Sequence, residues 1–417
     1  MSNSLFNVRA YADNPNWEKM VAREQELYSS DGDIRSPFAR DYTRILHSTA
    51  YRRLKHKTQV FFNIDNDHIC TRMEHVGHVE SVSYTLAKQL GLNTELTMAI
   101  AIGHDLGHAP FGHCGEEVLQ EIIQKNLGSA YSFWHEKNGL RFVDELELLP
   151  NHSNELINLD LTYAVRDGII SHCGELDSKA LFPRKQHIDL KNDFTIKAKF
   201  QPYTWEGCVV KFADKIAYVG RDIEDAKLLG FISSDANDKL IKLAQKFVKN
   251  AINTTVIMHS LIIDACKNSS LDNGISLSKE GFEILSEVTN FNDEYIYRNE
   301  RLDAFKDYAK HVLNSIFDTL LSTYESEGKF WTKISTMKKY YPTLMDSFGV
   351  WLTKYVNREI IDDCFAKSLS EDTTNCKNIK IYGKLDSKEM YIQAIIDFMS
   401  GMTDRFAVKM HEELIHY

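Results

Sequence analysis

Three histidines and an aspartate, His104, Asp105, His108 and His113, fall within the run AIAIGHDLGHAPFGHCGEE. An imidazole and a carboxylate on adjacent residues can ligate one divalent cation together. Met98, Ala99, Ile100, Ala101 and Ile102 read as a buried helix that ends at the dipeptide His104-Asp105. Burying such a pair without a partner costs roughly several kcal/mol, so a purely structural role would require a counter-charge for Asp105. Gly103, Gly107, Gly112 and Gly115 let the chain turn tightly around whatever is held there.

A cation needs more than two protein ligands, and two further predicted helices can supply them. In TRMEHVGHVESVSYTLAKQLG, Met73, Val76, Val79, Leu86 and Leu90 form a helical stripe that Gly91 would stop, and His75 lies beside it near the start. In WEGCVVKFADKIAYVGRDIEDAKLLG, Asp214, Tyr218, Asp222 and Asp225 recur at spacings of four, four and three and share one helix face. A solvated helix can show that pattern too. The preceding CVVKFA is too apolar for full exposure, which favours a site.

The order His75, His104-Asp105, Asp214 resembles the H…HD…D signature of the HD-domain phosphohydrolases. The segments RILHSTAYRRLKHKTQVF, TRMEH, GHDLGHAPFGHCGE, ADKIAYVGRDIEDA and DFMSGMTDRFA resemble the deoxynucleoside triphosphate triphosphohydrolases, or dGTPases, and extend from residue 44 to residue 407. The resemblance implies that His75, His104, Asp105 and Asp214 hold one divalent metal ion. Two imidazoles and two carboxylates suit Mn, Mg, Fe, Co, Ni or Zn to different degrees, and the residue types do not choose among them. Four protein ligands on a six-coordinate ion leave positions for water and a phosphate oxygen.

The resemblance also makes His113 and Glu116 the catalytic pair, with the carboxylate fixing the imidazole's tautomer so that it can move a proton near neutral pH. Whether His113 delivers water or protonates the departing oxygen stays open. His108 and His135 match positions that line the phosphates in relatives and assist catalysis. Arg72 and Lys215 match phosphate-binding cations. Gln59 and Asp222 match residues that bond the 3′ hydroxyl, and Tyr218 matches a tyrosine stacked under the deoxyribose. Where many relatives carry H-N-x-Q, this chain has His135, Glu136, Lys137 and Asn138, which leaves base preference open between dGTP and dNTPs generally. Among the basic residues from Arg40 to Lys57, most read as a solvated face or internal ion pairs, with Arg52 and Arg53 the strongest candidates for contacting phosphate.

The implied reaction is hydrolysis at the α-phosphorus to deoxynucleoside and tripolyphosphate. Two other readings share the motif: another HD phosphohydrolase acting on a cyclic nucleotide, alarmone or nucleoside monophosphate, and a non-catalytic nucleotide sensor. The resemblance further implies a homo-oligomer, hexamers being among the family's forms, and a nucleotide effector at a subunit interface.

Composition agrees with a soluble, cytoplasmic enzyme. The 417 residues are 43% hydrophobic, enough for a sizeable core, and a formal charge of −10 argues against general nucleic-acid binding. Seven cysteines without C-x-x-C spacing read as reduced thiols, Cys114 being the one expected to be oxidation-sensitive. No signal peptide or membrane span is expected.

The expected fold is all-α, an HD-domain helical fold with additional C-terminal helices and at most a small β element. Residues 1–230 form the expected phosphohydrolase core, 231–417 cover the pocket and make subunit contacts, and 387–413 return to the core. Helices are predicted at Trp17–Tyr28, Asp41–His56, Thr71–Leu90, Glu95–Leu106, Glu116–Asn126, His135–Leu149, Leu161–His172, Trp205–Leu229, Asp238–Cys266, Lys279–Asn290, Asp293–Ser326, Tyr341–Asn357 and Ser387–His416. Alternation at Phe194–Phe200 and Asn378–Leu385 predicts two strands.

Overall fold

Thr71 accepts a hydrogen bond from the Glu74 backbone N–H while the Glu74 carboxylate accepts from that of Thr71. This capping box starts the helix Arg72–Leu90, which stops at Gly91 in the left-handed conformation (φ 74°). Asn93 caps Thr94–Gly103 and Thr204 caps Trp205–Leu228 by the same side-chain-to-backbone logic. The computed structural model describes residues 4–25, 32–61, 68–173, 180–250, 255–325, 329–362, 365 and 375–416, with backbone alone at 218, 219 and 255.

The chain forms two compact units, each assembled from three stretches. The first contains Met1–Leu46, Ile64–Asp105 and Asp160–Asp303. In it, Arg72–Leu90 packs on Thr94–Gly103 and Trp205–Leu228, and Tyr163–Ser171 packs on the latter two. Val76, Val79, Leu86, Ile100, Ile102, Val165, Ile169 and Val209 are fully buried along these contacts. Each contributes about 1.5–3 kcal/mol of apolar burial, so four short elements fix one another without a sheet.

The second unit contains His47–Asn63, Leu106–Leu159 and Ala304–Tyr417. Lys388–Ser400 packs on Gly112–Leu127, and Pro342–Leu352 packs on Phe330–Met337, Lys388–Ser400 and Asp404–Ile415. Aromatic rings fill this core. Phe348 lies 5.3 Å from Phe398 and 5.9 Å from Tyr391 between centroids, both edge-on.

The fold is all-α. Among the described residues, ladders are limited to two antiparallel pairs, Leu148–Pro150 with Leu156–Asn158 and Ala180–Leu181 with Ile275–Ser276. No described helix is long and apolar enough to cross a membrane.

Several expected helices are shorter or interrupted. Asp41–His56 becomes Pro37–His47 and Thr49–Arg53 because Ser48, extended at ψ 153°, caps the second. His135–Leu149 is α-helical only to Arg141, then widens to a π turn at Phe142–Leu146 before the strand Leu148–Pro150. Asp293–Ser326 begins with a π turn at Asp293–Tyr297 and resumes as Glu300–Leu321. Ser387–His416 breaks at Gly401, and Thr403 caps a new helix from Asp404. Asp238–Cys266 divides into Ser234–Phe247 and Thr255–Asn268, with 251–254 outside the described residues. Trp17–Tyr28 is helical only over Trp17–Val21, and 26–28 lie outside the described residues.

Neither expected strand forms. In Phe194–Phe200 the chain turns at Ala198 (φ 59°), and the two phenylalanine rings meet 5.1 Å apart, where an extended strand would hold them about 20 Å apart. Residues 378–385 turn at Gly383 (φ 48°) and Leu385 (φ 52°), leaving one isolated bridge, Val356 to Gly383.

Candidate functional site

In the first unit, His75 stands on the opening turn of Arg72–Leu90, His104 ends Thr94–Gly103, and Asp214 projects from Trp205–Leu228. Each of the three offers a ligand atom, and these atoms lie within 4.8 Å of one another. His75 Nε2 is 3.0 Å and His104 Nε2 3.8 Å from the same Asp214 oxygen, Oδ1. Ligands about 2.1 Å from one ion are separated by at most about 4.2 Å, so small adjustments bring this set onto a cation. Asp105 is adjacent: its Oδ1 lies 3.5 Å from His104 Nε2.

The donor set fits a metal on one further point. His104 Nδ1 is 2.6 Å from the Ala101 carbonyl, which can only accept, so Nδ1 carries the hydrogen. In the neutral ring, Nε2 then keeps its lone pair. That atom is buried without a hydrogen-bond partner among the described residues, as a ligating nitrogen oriented by a carbonyl would be. Burial lowers the His75 pKa, but the Asp214 hydrogen bond and the Asp105 and Asp214 charges outweigh it, and the net shift is upward. Burial raises that of Asp214, yet the His75 hydrogen bond and the nearby imidazoles hold it well below the usual carboxylate range.

Arg72 answers the need for a counter-charge. Almost fully buried, it donates from Nη1 to Asp105 Oδ2 at 2.8 Å, while Nε and Nη2 are buried with no acceptor among the described residues. Asp222, on one helix face with Asp214, is buried and accepts from the Tyr297 hydroxyl at 2.5 Å through Oδ2, leaving Oδ1 without a partner among the described residues. Burial raises its pKa to about 6 despite that bond. Lys215 is half-buried on the same helix. The side chain of Tyr218 lies outside the described residues, although its backbone is helical. Sequence reasoning missed His172, whose buried ring meets His104 edge-on at 5.0 Å and whose Nδ1 is 2.7 Å from the Ile169 carbonyl. Nothing in the spacing of GIISHCG marks it.

In the second unit, His108, His113, Glu116 and His135 offer ligand or proton-transfer atoms within 4.8 Å of one another. His113 and Glu116 are one turn apart on Gly112–Leu127, but His113 Nδ1 is 3.8 Å from Glu116 Oε2 and its side chain is 70% exposed. The same carboxylate oxygen is 2.6 Å from His135 Nδ1. His135 Nε2 is in turn 3.2 Å from Glu136, and its ring stacks on His108 at 3.7 Å. Burial raises the Glu116 pKa, but the His135 charge and hydrogen bond, with His113 and His108 nearby, hold it far below the usual range. Gln59 is half-buried, and its side-chain carbonyl has no partner among the described residues.

The loop before this cluster is held from the far end of the sequence. Asp404 accepts from the Phe111 backbone N–H at 2.8 Å and from the Thr58 N–H and hydroxyl at 3.0 and 2.7 Å. Phe111 sits in the left-handed region (φ 64°). The buried Lys57 ammonium donates to the carbonyls of His108 and Ser400. Gly107 is required by close approach, since a Cβ there would lie 2.0 Å from the His135 carbonyl oxygen. Two expectations change. Arg53 is engaged by Glu147 at 2.6 Å, and Arg52 is an exposed donor to the His47 carbonyl. Burial pushes the Cys114 thiol up to about 11, so the reactive thiolate is scarce near neutral pH and the expected oxidation sensitivity is not supported.

Residues 72–219 match the HD domain family model. Curated relatives described as deoxyguanosinetriphosphate triphosphohydrolase-like proteins include one from Caldanaerobacter subterraneus subsp. tengcongensis, 30% identical across 94% of this chain and 88% of the relative. One from Clostridium tetani is 33% identical across 77% and 83% of the respective chains, and one from Desulfatibacillum aliphaticivorans 34% across 71% and 76%. With its HD match and similarity sustained over nearly its full length, the chain belongs to the HD-domain deoxyguanosinetriphosphate triphosphohydrolase-like family.

Proposed function

We propose that the protein hydrolyses deoxynucleoside triphosphates at the α-phosphorus, giving deoxynucleoside and tripolyphosphate. The observation that carries this is Arg72, a buried guanidinium beside His75, His104, Asp105 and Asp214 with two donors, Nε and Nη2, uncommitted among the described residues. Fixed, dry and forked, these donors suit a phosphate oxygen on which negative charge grows. The names of the relatives support a nucleoside triphosphate as substrate.

A divalent cation held by His75, His104, Asp105 and Asp214 would supply Lewis-acid polarisation and a more acidic water. Arg72 and Lys215 neutralise the phosphates. Asp222 Oδ1 accepts from the 3′ hydroxyl, Gln59 supplies a second polar contact, and Tyr218 excludes a 2′ hydroxyl. Water adds to phosphorus as the bond to the 5′ oxygen breaks. His113 transfers the proton, with Glu116, His135 and His108 setting its protonation. We extend the reading to a cytoplasmic homo-oligomer with a nucleotide effector, in which residues 231–417 contribute subunit contacts.

The test is to incubate the protein with each dNTP and NTP in several metals and to separate the products. Tripolyphosphate from dNTPs is expected. Pyrophosphate or orthophosphate would indicate another hydrolase, and binding without turnover a sensor.

A further inference from the structure

A cavity of about 250 Å³ in the second unit is lined by residues that include Trp134, Lys137, Asn138, Arg141, Gln393 and Asp397. Its one carboxylate is saturated. Asp397 accepts from Arg141 Nε at 2.9 Å and Nη2 at 2.7 Å, from Gln393 at 2.9 Å, and from the Tyr382 hydroxyl. Arg141 directs its remaining terminal nitrogen to Glu145.

Two donors are left over. The Trp134 indole is 4% exposed, and its Nε1–H has no acceptor among the described residues. A buried donor in that condition costs about 1–3 kcal/mol. Lys137 is half-buried, and its ammonium lies over the Trp134 ring at 4.9 Å with no carboxylate partner among the described residues. Burial, then the neighbouring Arg141, holds its pKa below the ordinary value. The lining therefore presents a cation and an unsatisfied N–H beside a carboxylate that is already occupied.

We propose that this cavity binds a small oxyanion, with Trp134 Nε1–H and the Lys137 ammonium as its donors. The ligand class is set by charge and size. An anion supplies the acceptor for the indole and the counter-charge for the lysine together. The volume falls below the roughly 300–1,000 Å³ typical of drug- and cofactor-sized ligands, so the cavity takes a phosphate or carboxylate group and not a whole nucleotide.

The test titrates the full chain at constant ionic strength with inorganic phosphate and, separately, acetate, following indole fluorescence and binding heat. Saturable binding is expected, with the tighter of the two identifying the oxyanion. Lys137→Met should weaken it about tenfold or more, and Lys137→Arg should recover most of the affinity. Trp134→Phe should weaken the binding heat and remove the fluorescence response while circular dichroism stays unchanged. No saturable binding of either anion, or affinity undiminished in Lys137→Met, would overturn the assignment.

Discussion

Glu116 Oε2 lies 2.6 Å from His135 Nδ1 and 3.8 Å from His113 Nδ1, so one carboxylate serves two imidazoles unequally. The short contact engages His135 and leaves the His113 side chain 70% exposed, in keeping with the proton-transfer role proposed for it. His113→Ala should therefore lower kcat by about 10²–10⁴-fold while leaving bound metal unchanged by elemental analysis. Loss of metal together with activity would place His113 among the ligands instead.

Removing His104 should have the opposite signature. His104→Ala deletes the carbonyl-oriented nitrogen, and bound metal should fall about 10- to 100-fold in affinity or further, with turnover lost in parallel. Undiminished metal content in this variant would remove the basis for the site. Chelation of the native protein should abolish turnover reversibly.

Arg72 and Asp105 form a buried pair at 2.8 Å. Arg72→Ala leaves the carboxylate without its partner and should destabilise the metal-free protein by about 3–5 kcal/mol, read from denaturant midpoints in chelator. Adding Asp105→Asn should return part of that loss. Additive losses in the double variant would show that the two side chains do not depend on each other.

Asp222 is the group whose titration should be visible. Burial raises its pKa from 3.8 to about 6, so the folded protein takes up a proton that the unfolded chain does not between those values. Its contribution is then most favourable below about pH 4 and is lost as pH rises through 6. Asp222→Asn should flatten that part of the stability profile and raise stability near pH 7.5 by roughly 2–3 kcal/mol. An unchanged slope in thermal melts from pH 4 to pH 7 would refute the assignment. The same variant should raise KM if Asp222 bonds the sugar.

Asp404 acts at a distance in sequence. Asp404→Ala removes three hydrogen bonds, including the one that holds Phe111 in its left-handed conformation. Stability should fall by roughly 2–4 kcal/mol. Turnover should fall with little change in metal content. Wild-type kcat in a folded variant would limit Asp404 to a packing role.

The sequence by itself determined the all-α class, the buried helix ending at His104-Asp105, the Thr71 to Gly91 helix with both its boundaries, and the metal-ligand candidates. Periodicity and capping are local: Thr71, Glu74 and Gly91 act on backbone groups within a few residues, so their effect is readable without the fold. Single breaks inside long helical patterns were harder, because Ser48 and Thr403 suit both a surface helix and a cap. Only the tertiary structure decided which imidazole receives the Glu116 carboxylate, that Arg72 faces Asp105, that His172 joins His104, and that Arg53 is engaged by Glu147. Those pairings join residues far apart in the chain and depend on side-chain direction to within an ångström or two. Residue type and spacing state what a group can bond, and packing selects which of its candidate partners it reaches.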